Sequence, residues 1–319
     1  MRRCTAPFSP RVRRRVFLAI QVVVAAAVVW FAAGTITEQW RRTREAGFGF
    51  EPRWWLIAAS GLIVLGTYAL LIQTWRVMVS SWGSSISWHE AARIWFVSNL
   101  GKYVPGKVWQ VVAMGAMAQR AGVSPVAASG SAVVINVVNL LAGVGVVGLT
   151  GASLLGRPTV VLAVTLLVAV GVLFAPTVLP LTIRLGERLV GRSFPMPRLP
   201  RRPIWIAGAA SILAWILYGV AFWLLAMGVA PATMGALQSY IAAFTASYIL
   251  GYVTLFAPGG LGVRDISLAA FLDQLHLTSG GAGVLIAVAS RLWLSVLEIL
   301  PGAIYYAIGV KNLRANLRD

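Results

Sequence analysis

The sequence predicts an all-α polytopic membrane protein, with about six full spans and two broken hairpins that give about eight helices in an inverted repeat. Three observations support this fold class. Of the 319 residues, 59% are hydrophobic and only 11% are charged, which excludes an ordinary soluble domain. Long apolar runs recur along the chain, and each is long enough to cross a bilayer as a helix. Two apolar stretches, residues 103–107 and 256–260, instead contain Pro-Gly, which ends a helix.

The net charge is strongly positive, +18 at pH 7, with 27 Lys and Arg against 9 Asp and Glu. In a polytopic membrane protein such an excess marks cytoplasmic loops and contact with anionic lipid headgroups, so we expect no nucleic-acid partner. The single cysteine, Cys4, excludes an internal disulfide and a thiolate metal cluster. With only His89 and His276 and no HExxH motif, we expect neither a metal site nor a cofactor.

The first membrane half, residues 16–181, follows a basic segment at 1–15 that carries six arginines. This segment predicts a cytoplasmic N-terminus ahead of a first span at 16–33. Residues 34–53 predict a short outer loop, and residues 54–79 a second span. Tryptophans are expected at the lipid interfaces near the two ends of that span, namely Trp54, Trp55, Trp75 and Trp82.

Residues 87–121 are more polar and predict a re-entrant hairpin that enters from the cytoplasm. Its first arm reaches Pro105-Gly106 and its second arm runs back to Arg120, and neither arm is a convincing span alone. At membrane depth a broken helix leaves unpaired backbone groups, which persist only against protein or a water-filled cavity. Two such breaks in corresponding positions of two halves indicate a transport site.

Clear spans are predicted at residues 126–149 and 158–181. The first contains a GxGxxG match that starts at Gly143, the formal pattern of a dinucleotide site. No strand precedes it and no acidic residue follows about 20 positions later, so the glycines predict close helix packing instead. The same span holds Asn136 and Asn139, which share one helix face and are expected to cross-link helices.

An arginine-rich linker at residues 182–203 is predicted to be cytoplasmic and divides the two halves. The second membrane half occupies residues 204–310, and a basic cytoplasmic tail follows at 311–319. This half is predicted to contain a span at 204–228, a hairpin at 234–275 broken by Pro258-Gly259, and a long last helix at 281–310.

The distribution of basic residues supports this topology. If each hairpin enters and leaves the membrane on the same side, twenty basic residues flank the inner side and five flank the outer side, as the positive-inside rule requires. Both termini are then cytoplasmic, as expected of a multi-pass protein of the inner (plasma) membrane. Superimposing one Pro-Gly on the other, an offset of 153 residues, aligns the two halves in opposite orientation. Transporters with a midplane site have this plan.

Both breaks have the composition of an anion site. Glycines beside the start of a half-helix expose backbone N–H groups and a positive dipole end, and adjacent cations add to the attraction for phosphate. For Lys102, snorkelling to the interface is an equal alternative, whereas Arg264 lies inside apolar sequence. The candidate headgroup-binding residues are Asn99, Lys102, Pro105, Gly106 and Lys107 at the first break, and Pro258, Gly259, Gly260, Gly262, Arg264 and Asp265 at the second.

Arg291 and Glu298 on the last helix are predicted to form an intramembrane charge network. They share a helix face but lie about 10 Å apart along the axis, too far for an easy direct pair. A charge at the bilayer centre costs about 2.5–3.5 kcal/mol, so each is expected to find a partner elsewhere, with Asp265 and Arg264 as candidates. A structural ion pair and a gated site for a charged headgroup both remain open.

Three features of the chain resemble the membrane region of lysylphosphatidylglycerol synthases and their stand-alone, flippase-like relatives. These features are residues 99–109 (NLGKYVPGKVW), residues 257–265 (APGGLGVRD) and Arg291 in the last helix. The resemblance covers nearly the whole chain after the first helix. One departure is Asp265, where relatives commonly have Glu, which keeps the charge but shortens its reach.

The resemblance implies an integral membrane protein of about eight helices that moves a charged phospholipid or a lipid-linked sugar between leaflets. Only nine residues follow the predicted last helix, so we expect no aminoacyl-transferring domain and no synthase activity. The leading hypothesis is therefore a lipid translocator, not an enzyme, whose partner is a membrane lipid with an anionic, phosphate-bearing headgroup.

Two other classes remain open. A membrane glycosyltransferase that uses polyprenyl-phosphate donors would place acidic residues on an outer loop, where Glu38, Glu45 and Glu51 occur. A non-transporting membrane partner of a lipid-modifying enzyme would bind that enzyme through the arginine-rich linker, at residues 192–202.

Overall fold

The part of the chain that the structure describes is all-helical. The structure, a computed structural model, describes residues 52–103, 108–151, 201–230, 236–254, 262–278 and 282–315, together with Gly260 and isolated positions between 159 and 171. The eight α-helices of these ranges are α1 (Trp54–Ser81), α2 (Trp88–Asn99), α3 (Val108–Arg120), α4 (Pro125–Thr150), α5 (Arg201–Val229), α6 (Leu237–Val253), α7 (Val263–Gln274) and α8 (Ala282–Ala315). A 3₁₀ turn, Leu100–Tyr103, extends α2.

Four of these helices, α1, α4, α5 and α8, are long and apolar enough to cross a membrane. Hydrocarbon offers no hydrogen bonds, so such runs satisfy their backbone groups within a helix. The predicted class, an all-α polytopic membrane protein, is thereby confirmed. The predicted spans at residues 16–33 and 158–181 lie outside the described ranges, as do the N-terminal segment and most of the linker.

Several hydroxyl side chains of the apolar helices find acceptors on their own helix. In α1, Thr67 and Thr74 each donate to the carbonyl oxygen four residues earlier, at 2.8 Å. Ser247 in α6 donates to the carbonyl of Phe244, also at 2.8 Å. Such bonds to the preceding turn keep a small polar residue compatible with an apolar environment.

Both predicted hairpins contain two helical arms. In the first, Ser87 caps α2 by accepting a hydrogen bond from the backbone N–H of Glu90, and α3 follows the 3₁₀ turn. In the second, α6 and α7 are separated by a short stretch around Gly260. The Pro-Gly pairs themselves lie outside the described residues, and the re-entrant character of the hairpins stays a prediction.

The long helices of the two predicted halves pack against one another and against the hairpin arms. Helices α1 and α5, which occupy equivalent positions in the halves, pack against each other over much of their length. Helix α4 packs against α3, α5 and α6, and α8 packs mainly against α7 and α2, with smaller contacts to α5 and α1. The repeat of the two halves and its inverted orientation stay predictions.

Two tryptophans that were expected at a lipid interface are buried in the core instead. Trp75 is fully buried and donates its indole N–H to the carbonyl of Ala128 on α4, at 3.2 Å, and Trp82 is also buried. That part of the prediction is wrong, because both rings pack between helices. Trp54 and Trp55, at the other end of α1, are each 70% exposed and remain compatible with an interfacial position.

Glycines permit close approach between the long helices. A Cβ atom at Gly143 would lie 2.9 Å from the indole ring of Trp215 on α5, and one at Gly219 would lie 2.6 Å from Ile241 on α6. The GxGxxG match therefore belongs to a helix interface at its first glycine, which confirms the packing interpretation there.

Candidate functional site

A cavity of about 220 Å³ lies between the two hairpins and the long helices. Its wall combines charged, amide and aromatic side chains, which is unusual inside a bundle of apolar helices. Every described helix contributes, through Tyr68, Trp95, Asn99, Gln110, Asn136, Tyr218, Tyr248, Arg264, Arg291 and Glu298, and the 3₁₀ turn contributes Lys102.

On one side of the cavity, α8 is tied to the second hairpin. Arg291 donates from Nη1 to both carboxylate oxygens of Asp265, at 3.2 and 3.0 Å. Asp265 also accepts from the backbone N–H of Gly262, at 3.3 Å, which satisfies a donor at the start of α7. The carboxylate thus fixes the half-helix to α8 and neutralises Arg291.

Two turns further along α8, Glu298 is tied to the first hairpin. Its carboxylate forms an ion pair with Lys102 on the 3₁₀ turn and accepts a hydrogen bond from the Tyr68 hydroxyl on α1, at 3.1 Å. Glu298 is 8% exposed, so this pairing takes the place of hydration. Helix α8 therefore holds both hairpins through two ion pairs of opposite polarity.

Arg264, in the first turn of α7, is held differently. Its guanidinium lies over the rings of Tyr248 and Phe244, 4.7 and 5.4 Å from their centroids. The residue is 8% exposed, and Nε and Nη2 find no hydrogen-bond acceptor among the described residues. A ring face contacts the flat side of a guanidinium and does not accept from its in-plane N–H groups, so the two nitrogen atoms are buried without an acceptor among the described residues.

The position of Arg264 depends on three glycines. A Cβ atom at Gly251 on α6 would lie 2.7 Å from the Cβ of Arg264, and one at Gly260 would lie 2.9 Å from the carbonyl oxygen of Gly251. Gly260 and Gly262 also have φ of 70° and 81°, a left-handed conformation that side chains disfavour. The chain can therefore bring α7 against α6 only with glycine at these positions.

The remaining wall is uncharged. Asn99 and Gln110 hydrogen-bond to each other and so join the two arms of the first hairpin. Asn136 and Asn139 on α4 both line the cavity, and the backbone carbonyl of Asn139 accepts from the Trp215 indole at 2.8 Å. Trp215 in turn packs edge-on against Tyr218 and Tyr248.

The structure brings most of the predicted site residues together. Asn99, Lys102, Gly260, Arg264, Arg291 and Glu298 line the cavity, and Asp265 and Gly262 adjoin it through their bonds. Asp265 is the partner of Arg291, as anticipated, but the partner of Glu298 is Lys102 and not Arg264. The predicted residues Pro105, Gly106, Lys107, Pro258 and Gly259 lie outside the described residues.

Sequence reasoning missed the tyrosines of the site. Tyr68 and Tyr218 are the only tyrosines of their apolar helices and Tyr248 lies in the interior of α6, away from the expected interfaces, and that position is the signal that would have found them. Asn136 and Asn139 were expected to join helices, whereas the structure places both at the cavity. Within the described ranges, no group of three or more His, Cys, Asp or Glu is arranged to hold a metal ion.

Fold and cavity together define a polytopic α-helical membrane protein with a charged chamber between two helical hairpins. Residues 18–302 match the family model described as the lysylphosphatidylglycerol synthase TM region. The match covers most of the chain, so the protein belongs to this family. The family name connects this membrane region with phospholipid metabolism. No curated protein matches the sequence.

Proposed function

We propose that the protein is a lipid translocator that carries an anionic, phosphate-bearing headgroup through the cavity from one leaflet to the other. The family supports a role in handling membrane lipids, and its name contains phosphatidylglycerol, a lipid whose headgroup carries a phosphate. Transport across a bilayer needs a polar chamber at membrane depth for the headgroup while the acyl chains stay in lipid.

The observation that carries the proposal is Arg264. A buried guanidinium is costly in a membrane protein unless it is paired, and this one offers donors without an acceptor among the described residues. A phosphate oxygen supplies both the missing charge and the missing acceptors, in the planar geometry that arginine favours. The start of α7, directly beside Arg264, adds a positive helix end.

The two ion pairs on α8 suit such a carrier. They hold the hairpins in one arrangement while keeping Lys102 and Arg291 next to the cavity. An incoming phosphate competes with Glu298 or Asp265 for these cations, and this competition loosens one hairpin at a time. We expect the cavity to open alternately to the two leaflets through that exchange.

The ion pairs of the two cavity carboxylates favour a transporter over an enzyme. Asp265 and Glu298 are both engaged with cations, whereas a general acid or base has to exchange a proton with its substrate. The glutamates at 38, 45 and 51 and the linker at 192–202, on which the two alternative classes depend, fall outside the described ranges. We place the protein in the inner (plasma) membrane with both termini cytoplasmic, on the strength of the positive-inside count.

Reconstitution into liposomes tests the proposal. Headgroup-labelled anionic phospholipids and polyprenyl-phosphate lipids are incorporated, and their movement between leaflets is followed from the fraction that an impermeant quencher reaches. Wild type should move at least one of these lipids faster than protein-free liposomes. Arg264→Ala should lower that rate at least about tenfold, the loss expected for a charge-assisted bond of about 1.5–3 kcal/mol.

Arg93→Ala is the matched control, because Arg93 is an exposed arginine on α2 that does not line the cavity. Its rate should equal that of wild type. The proposal is rejected if wild type, Arg264→Ala and protein-free liposomes move every lipid equally slowly. Loss of function on neutralising Glu38, Glu45 and Glu51, with Arg264→Ala silent, would favour the glycosyltransferase instead.

A further inference from the structure

We infer that Glu298 is a mobile carboxylate, which leaves Lys102 on the first hairpin and pairs with Arg264 on the second when an anionic ligand takes its place at Lys102. This inference rests on the proposed function in taking the cavity as an anion site, and it adds where the displaced carboxylate goes. Three observations lead to it, namely the placement of the three side chains, the bonding of Arg264 and the aromatic rings between Arg264 and Glu298.

Glu298 lies on α8 between one cation of each hairpin. Lys102 on the 3₁₀ turn of the first hairpin, Arg264 on α7 of the second, and Glu298 all line the same cavity. In the structure the carboxylate forms its ion pair with Lys102. It also interacts electrostatically with Arg264, so these two charges are near each other without being in contact.

Arg264 is the cation of the cavity that can receive the carboxylate. Its Nε and Nη2 are buried without an acceptor among the described residues. Arg291, the other arginine of the cavity, already donates to both carboxylate oxygens of Asp265. A buried carboxylate displaced from Lys102 is therefore stabilised most at Arg264, where a planar guanidinium matches its two oxygens.

Aromatic rings connect the two positions of the carboxylate. Tyr68, which donates its hydroxyl to Glu298, packs edge-on against Tyr218, with ring centroids 6.2 Å apart. Tyr218 in turn lies 6.3 Å from Phe244, and the guanidinium of Arg264 lies over the Phe244 ring. Glu298 and Arg264 thus adjoin one continuous aromatic cluster, and a change of the Glu298 rotamer directs its carboxylate along that cluster.

Asp265 is not suited to the same exchange. Its side chain is shorter than that of Glu298, and it is held both by Arg291 and by the backbone N–H of Gly262. After the exchange, α8 is tied to the second hairpin twice, through Asp265 and through Arg264. The first hairpin then lacks its ion pair to α8, so the exchange releases that hairpin alone.

The exchange keeps the cavity balanced in charge. Lys102 and Arg264 supply two positive charges, and Glu298 and one anionic ligand supply two negative charges. While the ligand lies at Arg264, Glu298 neutralises Lys102; once the ligand lies at Lys102, Glu298 neutralises Arg264. Neither arrangement requires an unpaired charge at membrane depth, so the ligand can pass between the hairpins without that free-energy cost.

Thermal unfolding in detergent tests the exchange without any ligand. Lys102→Met removes the first cation and makes Arg264 the new partner of Glu298. Arg264→Gln should therefore lower the unfolding temperature more in the Lys102→Met background than in otherwise wild-type protein, by at least about 2 °C. Lys102→Gln, which keeps a hydrogen-bond donor toward Glu298, provides a second, milder background for the same comparison.

Three variants distinguish a new ion pair from a general effect of charge. Arg93→Gln changes an exposed arginine outside the cavity and should have the same effect in both backgrounds. Glu298→Gln should abolish the difference between the backgrounds, because no carboxylate remains. Glu298→Asp keeps the charge but has a shorter reach, so it should lose most of the difference, whereas a field acting across the cavity would retain it.

In liposomes, Glu298→Gln should separate binding from movement. Any labelled lipid that wild type moves meets no competing carboxylate at Lys102 in this variant and should bind at least as well as to wild type. It should move at least about tenfold more slowly, because the cation that the lipid leaves is no longer neutralised by Glu298. Binding and movement both equal to wild type would contradict the exchange.

The inference is overturned if Arg264→Gln has the same effect in both backgrounds, or if Glu298→Asp retains the full difference. Because unfolding is measured without lipid, its outcome is separate from that of the proposed function. The expected difference together with no lipid movement above protein-free liposomes would retain the exchange and reject the translocator. Lipid movement by wild type without that difference would reject the exchange and retain the translocator.

Discussion

Gly251 on α6 lies so close to Arg264 on α7 that a Cβ atom at Gly251 would be 2.7 Å from the Cβ of Arg264. Real Cβ contacts are longer than this, so a side chain at Gly251 would displace the first turn of α7. That turn carries the guanidinium that faces Tyr248 and Phe244. The glycine therefore sets the position of the cation on which the proposed site depends.

Gly251→Ala should weaken binding of anionic lipid about as strongly as Arg264→Ala, because it moves the guanidinium away from its aromatic support. Gly66→Ala in α1 is the matched control, since no atom lies within 4 Å of its added Cβ. That control should bind lipid normally and be stabilised by up to about 1 kcal/mol through the better helix propensity of alanine. Lipid retained through purification, quantified by mass spectrometry, measures both variants. Normal binding by Gly251→Ala would show that α7 tolerates the displacement.

Asp265 has two roles that substitutions can separate. Asp265→Asn removes the charge that pairs with Arg291 but retains an oxygen that can accept from the N–H of Gly262, whereas Asp265→Ala removes both. We expect Asn to lower stability and Ala to lower it further by about 1 kcal/mol, the value of one hydrogen bond. Thermal unfolding in detergent measures the difference. Equal stability of the two variants would indicate that the bond to Gly262 contributes nothing.

Lys102 and Glu298 should be energetically coupled. Lys102→Met leaves the buried Glu298 without its ion pair and Glu298→Gln leaves the half-buried Lys102 without its ion pair, whereas the double variant removes both charges. The double variant is therefore expected to lose less stability than the sum of the two single losses, by about 0.5–3 kcal/mol. A double-mutant cycle from denaturant unfolding gives this value. Strict additivity would mean that Lys102 and Glu298 are stabilised independently, by groups other than each other.

Trp75 and Trp54 should differ sharply although both lie on α1. Trp75 is fully buried and bonded to Ala128, so Trp75→Ala should destabilise the protein by about 3–5 kcal/mol through lost packing and a lost hydrogen bond. Trp54 is 70% exposed, and Trp54→Ala should change stability by less than about 0.5 kcal/mol in detergent. Unfolding midpoints of the two variants provide the measurement. Similar midpoints would contradict the buried placement of Trp75.

Local structure could be predicted because it depends on neighbouring residues. The spans α1, α4, α5 and α8 follow from apolar runs of bilayer length, and their predicted ends differ from the observed ends by a few residues. The arms of both hairpins followed from the more polar or Pro-Gly-broken stretches in the same way. The interfacial assignment of Trp75 failed because composition does not show which side of a helix faces protein.

The sequence by itself determined that this is an all-α membrane protein with charged residues inside its apolar helices. The hydropathy of a segment and the free energy of placing a charge in the membrane can both be read from the residues of that segment alone. Only the tertiary structure decided which of those charges meet. Tyr68 and Glu298, 230 residues apart, share a hydrogen bond because α1 and α8 pack together, and Lys102 joins them from the first hairpin. The same packing places Arg264 against aromatic rings, where the described residues leave two of its nitrogen atoms without an acceptor.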